Sequence, residues 1–174
     1  MRKVLLNLIG VAAIFVPAAA QAQVTAKDMQ VAGRVLGFTS SPPSGSVKLG
    51  IVYDPAVPAS AADEQALVGI LGSGLAVGSV TFMPVPITID KLGSTPADIF
   101  FLTSGMGAEA AKVGAQAAAN KVMCMTTDIA ATQAGNCALS IQSDPKVLIT
   151  VNKAAAAASG VSFASAFMLM ITEI

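Results

Sequence analysis

The chain has 174 residues, of which 54% are hydrophobic and only 11% are charged, and its ten basic residues balance its ten acidic ones. A charged fraction of about 25% is usual, so the thinly charged surface favours contact with a protein partner or with a second copy of the chain. The balance of charge excludes the strongly basic face that nucleic-acid binding requires.

The sequence contains no histidine. This excludes Ser-His-Asp and Cys-His catalysis and every zinc site that uses imidazole. The acidic residues are scattered, and no pair of them is placed to suggest a glycosidase. The composition therefore favours a binding or regulatory role over catalysis, and it gives no reason to expect a cofactor.

The first 22 residues are organised like a secretory signal peptide. A basic start (MRK) precedes an apolar run at residues 4–16 and a small-residue cleavage site, Ala20-Gln21-Ala22. The apolar run of about 13 residues is shorter than the roughly 20 that would span a bilayer. We therefore expect export to the periplasm, one mature domain over residues 23–174, and at most a peripheral association with the membrane.

The mature part begins with a predicted helix at residues 25–37, where apolar side chains recur at helical spacing. Residues 39–46 (TSSPPSGS) predict a turn, because two prolines and a glycine interrupt regular structure. Residues 47–53 (VKLGIVY) are rich in β-branched side chains and predict the first strand.

A second helix is predicted at residues 59–75. Ser60 is its candidate N-cap, and Asp63 and Glu64 follow in the first turn, where the helix dipole favours acidic side chains. Four residues form its expected inward stripe, namely Leu67, Ile70, Leu71 and Leu75. Residues 80–89 then predict a strand that two prolines confine to a sheet edge, Pro84 and Pro86.

An uninterrupted apolar run at residues 99–102 (IFFL) is typical of a strand that is covered on both faces. Residues 108–120 predict an alanine-rich helix, and residues 122–125 predict a fourth strand. Residues 137–141 and 147–151 predict a β-hairpin.

After the hairpin, Asn152 is expected to cap a last helix, and residues 163–171 resume helical spacing. Strands that alternate with helices indicate a sheet whose strands are joined by crossover helices. The sequence therefore predicts an α/β domain: a mostly parallel central sheet with helices on both faces and an antiparallel C-terminal hairpin at one edge.

Two cysteines, Cys124 and Cys137, each lie in or beside a predicted strand. In an exported protein they favour a disulfide, because the compartment is oxidising. Two buried free thiols are the alternative.

Residues 105–110 (GMGAEA) match the pattern G-x-G-x-x-A between a strand and a helix, and Asp128 follows the next strand. One interpretation is a dinucleotide site with the pyrophosphate at the helix N-terminus. The other is that the glycines only let the strand turn into the helix, which we favour because the motif is short and the chain is exported.

Several polar residues follow the carboxyl ends of predicted parallel strands, the edge at which open α/β sheets bind ligands. A small-solute site there would use Tyr53, Asp54, Ser104, Gly105 and Asp128. The alternative is ordinary turn chemistry, because Asp-Pro and Ser-Gly are common turn formers.

Four stretches of the C-terminal half are 98–102 (DIFFL), 121–128 (KVMCMTTD), 135–139 (GNCAL) and 147–160 (VLITVNKAAAAASG). Together they resemble the YfiR family of small periplasmic proteins. The resemblance implies a non-enzymatic regulator that restrains a membrane diguanylate cyclase by binding its periplasmic part. It carries over no catalytic residue.

The last segment carries a stripe that consists of Phe163, Phe167, Met168 and Met170. This stripe is expected to be either core or a partner-binding face, and core is the simpler interpretation. A small periplasmic solute-binding protein is the alternative to a regulator, although a two-lobed clamp usually needs about twice this length.

The signal peptide is tested by N-terminal sequencing of the native protein. We expect the sequence to begin at Gln23, because signal peptidase cleaves after an A-x-A site. A native protein that begins at Met1 and stays in the cytoplasm would contradict the export hypothesis.

Overall fold

The computed structural model describes residues 23–174. The predicted signal peptide, residues 1–22, lies outside the described residues. Within residues 23–174, no helix is both long enough and apolar enough to cross a membrane.

Eight strands and six α-helices make up the described domain. The helices are α1 (Ala26–Leu36), α2 (Pro58–Leu71), α3 (Glu109–Asn120), α4 (Ile129–Gln133), α5 (Lys153–Ala158) and α6 (Ser165–Met168), with a 3₁₀ turn at Ile89–Lys91. The strands are β1 (Gly45–Tyr53), β2 (Leu75–Val77), β3 (Val80–Thr88), β4 (Ile99–Leu102), β5 (Met123–Thr126), β6 (Leu139–Gln142), β7 (Leu148–Val151) and β8 (Thr172–Glu173).

All eight strands form one sheet in the order β2-β3-β1-β4-β5-β6-β7-β8. The central strands β3, β1, β4, β5 and β6 are parallel, while β2 and β7 pair antiparallel with β3 and β6. The predicted α/β fold, with its mostly parallel sheet and C-terminal hairpin, is confirmed. The hairpin does not form the outermost edge, because β8 adds one more short strand beside β7.

Helices cover both faces of the sheet, and successive strand residues point to opposite faces. On one face, Ile51 and Phe101 pack in a cluster with side chains of α1 and α2. On the other face, Phe100 and Leu102 pack with side chains of α3 and α4. All four residues of β4 are buried, as the run IFFL predicts.

β3 is the second strand of the sheet and not the edge strand that its two prolines predict, but the part of β3 that holds the prolines has an open side. β2 pairs only with residues 80–82 of β3, so Pro84 and Pro86 lie beyond its reach. On its other side the same half of β3 pairs with β1, with Pro84 opposite Leu49. A proline has no N–H to donate, so this open side costs the sheet no hydrogen bond.

The predicted helix at residues 59–75 is too long by four residues. α2 ends at Leu71, because Gly72 and Gly74 take positive φ angles of 52° and 143° that break the helix. Leu75 then begins β2, which folds back on β3 as a hairpin. The N-cap prediction is also wrong, since α2 begins at Pro58 and Ser60 is its third residue.

Two other segments differ from prediction. Between β5 and β6, where the sequence analysis predicts neither a helix nor a strand, the structure has the short helix α4, and residues 163–171 hold only the four-residue helix α6. The cap of α5 agrees with prediction, because the Asn152 side chain accepts a hydrogen bond from the backbone N–H of Ala155 at 2.9 Å.

Cys124 and Cys137 form a disulfide between two neighbouring strands. Cys124 lies on β5, Cys137 lies just before β6, and their Cα atoms are 4.6 Å apart. Both residues are buried in the core on the α3 side of the sheet. The bridge therefore closes a loop that contains all of α4.

Replacing both cysteines by alanine is expected to lower the free energy of unfolding by about 3 kcal/mol, because the unfolded chain regains the freedom of the closed loop. Urea denaturation measures this loss, and chemical reduction of the unmodified protein serves as the control that should give a similar value. A loss below about 1 kcal/mol by both routes would contradict a stabilising bridge.

Candidate functional site

The sheet has a topological switch point between β1 and β4. From β1 the chain passes through α2 to β3 on one side, and from β4 it passes through α3 to β5 on the other. In open α/β sheets, ligands bind in the crevice outside the carboxyl ends of two such strands. Here that crevice lies between Asp54, which follows β1, and Thr103, which follows β4.

Ser60 fills one part of this crevice and is fully buried. Its Oγ lies 2.6 Å from Thr103 Oγ1 and accepts a hydrogen bond from the backbone N–H of Asp54 at 2.9 Å. Thr103 Oγ1 in turn donates to the backbone carbonyl of Val52 at 2.8 Å. These bonds join the first turn of α2 to the ends of both strands.

Asp63 fills the other part, and only 3% of its surface is exposed. Its Oδ2 accepts hydrogen bonds from the backbone N–H of Ser104, at 2.8 Å, and from the Ser104 hydroxyl. A buried carboxylate is costly unless donors surround it, so this pair fixes the β4–α3 turn against α2.

The role of Asp63 is missed by the sequence analysis, which assigns it to the helix dipole. A signal was present, because Asp63 is spaced by four residues from Leu67 and by eight from Leu71 on the inward stripe. Ser60 lies one turn earlier on the same face. A carboxylate and a hydroxyl on an otherwise apolar stripe indicate polar partners inside the fold.

The Asp63–Ser104 pair places a carboxylate beside a hydroxyl, and its hydrogen bonds tie α2 to the β4–α3 turn. In serine hydrolases an imidazole takes the hydroxyl proton, and this chain has no histidine. The same Asp63 oxygen also accepts from the Ser104 backbone N–H, which locks the turn in place.

The five residues of the predicted small-solute site do not line one common cavity. Ser104 lines a cavity of about 190 Å³ on the α2 side, with Asp63 and Gln23. Asp128 lines a separate cavity of about 220 Å³ beside α3 and α4, with Met106. The two cavities lie on opposite faces of the sheet.

The other predicted residues lie in turns and at helix ends. Tyr53 is half-buried at the end of β1, and Asp54 Oδ1 accepts from the backbone N–H of Ala56 at 2.8 Å. Asp128 caps α4 by accepting from the N–H of Ala130 at 2.9 Å. These contacts are the turn chemistry that the sequence analysis gives as the alternative.

Gly105 and Gly107, from the GMGAEA segment, have φ angles of 75° and 50°. Glycine adopts such left-handed conformations without strain, so both residues are explained by the turn into α3. α3 begins two residues later, at Glu109. In residues 23–174, no three histidine, cysteine, aspartate or glutamate side chains are grouped so that they could hold a metal ion.

The predicted partner face is divided between core and surface. Phe167 is only 3% exposed, and its ring stacks on Phe38 with centroids 4.9 Å apart. Phe163 is half-buried against Phe167, with centroids 5.6 Å apart, and Met168 is half-buried. Met170 differs from these three because it is 69% exposed.

Met170 belongs to a larger group that we call the apolar edge. It comprises five of the six exposed large hydrophobic residues in residues 23–174: Val147, Leu148, Leu169, Met170 and Ile174. Leu169 is the most exposed of them, at 89%. Four of the five, Val147, Leu148, Leu169 and Ile174, are absent from the predicted partner face, although the apolar run in the last residues (FMLMITEI) was a signal for two of them.

The apolar edge borders β8, the last strand of the sheet. The backbone N–H of Ile174 donates to the carbonyl of Val151 at 3.0 Å, and the N–H of Lys153 donates to the carbonyl of Ile174 at 3.0 Å. In a parallel ladder alternate residues bond to the same neighbour, so the backbone groups of Glu173 point away from β7. No strand among the described residues pairs with that outer side.

Neither a scan against protein-family models nor a search of the curated proteins found a match to this chain. Function is therefore inferred from the side chains that lie at the two ends and at the outer edge of the sheet.

Replacing Asp63 by alanine is expected to lower the free energy of unfolding by about 2–3 kcal/mol, because two donors on Ser104 lose a charged acceptor. Asp63→Asn should lose less, since its amide oxygen still accepts. Urea denaturation measures both changes, with Gln65→Ala on the exposed side of α2 as the control. If Asp63→Ala and Gln65→Ala unfold at the same urea concentration, the hydrogen bonds of Asp63 do not stabilise the domain.

Proposed function

We propose that this protein is a non-enzymatic regulator that acts in the periplasm by binding the periplasmic part of a membrane signalling protein. The observation that carries the proposal is the apolar edge, where exposed hydrophobic side chains adjoin the outer side of β8, which pairs with no other strand in residues 23–174. The resemblance to the YfiR family suggests that the partner is a membrane diguanylate cyclase, which this protein would restrain.

The chemistry of the apolar edge suits a protein partner. Exposed apolar side chains near one edge of a sheet are typical of interaction sites, and an open strand edge can add a strand from another chain. The ion pair between Lys153 and Glu173, at 3.1 Å, lies beside the edge and gives it a polar rim. An apolar centre with a polar rim is the usual organisation of a protein interface.

The hydrogen bonds in the crevice between β1 and β4 support the same proposal. Ser60, Asp63, Thr103 and Ser104 hydrogen-bond to one another or to nearby backbone groups there. Their hydrogen-bonding capacity is used to hold the domain together, so this crevice offers a solute few free polar groups. This weighs against the solute-binding alternative at that edge.

The proposal is tested by affinity capture from the native host, using the full chain with an epitope inserted between Gly93 and Ser94. This loop is exposed and lies between β3 and β4, four strands from β8. After crosslinking in intact cells, we expect capture of a membrane protein that carries a diguanylate cyclase domain. Deleting the gene should raise cyclic di-GMP, because the cyclase would no longer be restrained.

Leu169→Glu combined with Met170→Glu should reduce capture at least about tenfold, because a buried charge replaces two apolar contacts. Ala115→Glu, on the exposed side of α3, is the matched control and should retain capture. Equal capture by both variants, together with unchanged cyclic di-GMP in the deletion strain, would refute the proposed function.

A further inference from the structure

A cavity of about 170 Å³ opens at the amino-terminal ends of β1, β4 and β5. It lies at the opposite end of the strands from the Asp63–Ser104 pair, which is at their carboxyl ends. Nothing in the sequence analysis pointed to it, because its walls come from four separate segments of the chain, within residues 36–47, 98–99, 121–123 and 160–162.

The floor of this cavity is apolar. Leu36, Val47, Ile99 and Met123 belong to the buried cluster on the α1 side of the sheet, and Val161 packs against that cluster. Their surfaces offer no hydrogen bond to water. An apolar cavity of about 150 Å³ is large enough to take a six-membered carbon ring.

One wall is held in place by hydrogen bonds between two loops. The backbone N–H of Ser40 donates to the carbonyl of Ser162 at 2.8 Å, and the two serine hydroxyls lie 2.8 Å apart. Thr39 and Phe163 add a β-bridge next to them. A hydroxyl accepts as well as donates, so the exposed Ser40 and Ser162 can also bond to a polar group at the mouth.

The charges at the mouth balance. Asp98 and Lys121 both line the cavity, and each already has a backbone partner. Asp98 Oδ2 accepts from the N–H of Lys48 at 2.7 Å, and Lys121 Nζ donates to the carbonyl of Ala158 at 2.8 Å. A charged ligand would be attracted by one of these groups and repelled by the other.

We propose that this cavity binds a small uncharged molecule with an apolar body about the size of one six-membered ring and one hydroxyl group. The ring rests on Leu36, Ile99 and Met123, and the hydroxyl hydrogen-bonds to Ser40 or Ser162 at the mouth. The site is separate from the apolar edge, and ligand binding there does not depend on the proposed partner.

The proposal is tested with three probes that share one ring and differ in charge: benzyl alcohol, benzoate and benzylammonium. Each is titrated into the full protein while the methyl resonance of Met123, assigned with Met123→Leu, is followed by NMR. We expect benzyl alcohol to shift this resonance and to bind at least about fivefold more tightly than either ion, because an ion must be desolvated without a net opposite charge. Tighter binding of an ion, or no shift with benzyl alcohol, would overturn the proposal.

Single-charge variants sharpen the test. Asp98→Asn keeps an acceptor for Lys48 and should strengthen benzoate binding at least about threefold, whereas Lys121→Gln should do the same for benzylammonium. Asp144→Asn, in the turn between β6 and β7, is the control and should change the affinity for neither ion. If the Asp98 and Lys121 variants behave like the control, the probes bind elsewhere.

Val161→Phe should weaken benzyl alcohol binding at least about tenfold, because its ring occupies the space of the ligand. Circular dichroism checks that this variant is folded. Unchanged affinity in a folded Val161→Phe protein would also overturn the site, and the charge variants keep the test decisive if this variant does not fold.

Discussion

The buried Asp63 carboxylate constrains the rest of the domain. Its bonds to Ser104 reach from α2, on one face of the sheet, to the turn that leads into α3, on the other. A carboxylate at this depth has to keep its donors, since losing them costs several times the strength of an ordinary hydrogen bond. The position of α2 and the path of the chain after β4 are therefore fixed together.

These hydrogen bonds also use the polar side chains at the place where an α/β sheet usually binds a ligand. In the crevice at the switch point, Ser60 bonds to Thr103 and Asp63 bonds to Ser104, so the side chains at the usual ligand-binding end of an α/β sheet here connect α2 to the ends of the strands. The apolar edge beside β8 and the cavity at the amino-terminal ends of the strands both lie away from this crevice. These two places carry the proposed partner contact and the proposed ligand site.

Small residues allow close packing in this domain, and ion pairs contribute little to its stability. Gly114 allows α3 to approach the loop before β6, where an added Cβ would lie 2.7 Å from the Asn136 carbonyl oxygen. Gly50 does the same on β1, where a Cβ would lie 2.7 Å from that of Ala97. The two ion pairs seen in residues 23–174, Lys112–Glu109 and Lys153–Glu173, are on the surface and add little stability. Close packing and buried hydrogen bonds hold the domain together.

The sequence by itself determined the features that depend on neighbouring residues. The apolar run of β4, the hairpin of β6 and β7 and the Asn152 cap follow from local patterns, and the alternation of strands and helices predicts the α/β class. What only the tertiary structure decided is which distant residues meet. Local spacing predicts that Ser60 is an N-cap and that Asp63 is an acidic residue of the first helical turn. Their hydrogen-bond partners, Thr103 and Ser104, lie some forty positions away in the sequence. The two-residue β8 has no pattern of its own, because it exists only through its hydrogen bonds to β7. Hydrogen bonds and cavities between distant segments depend on strand order and register, and local spacing carries no information about either.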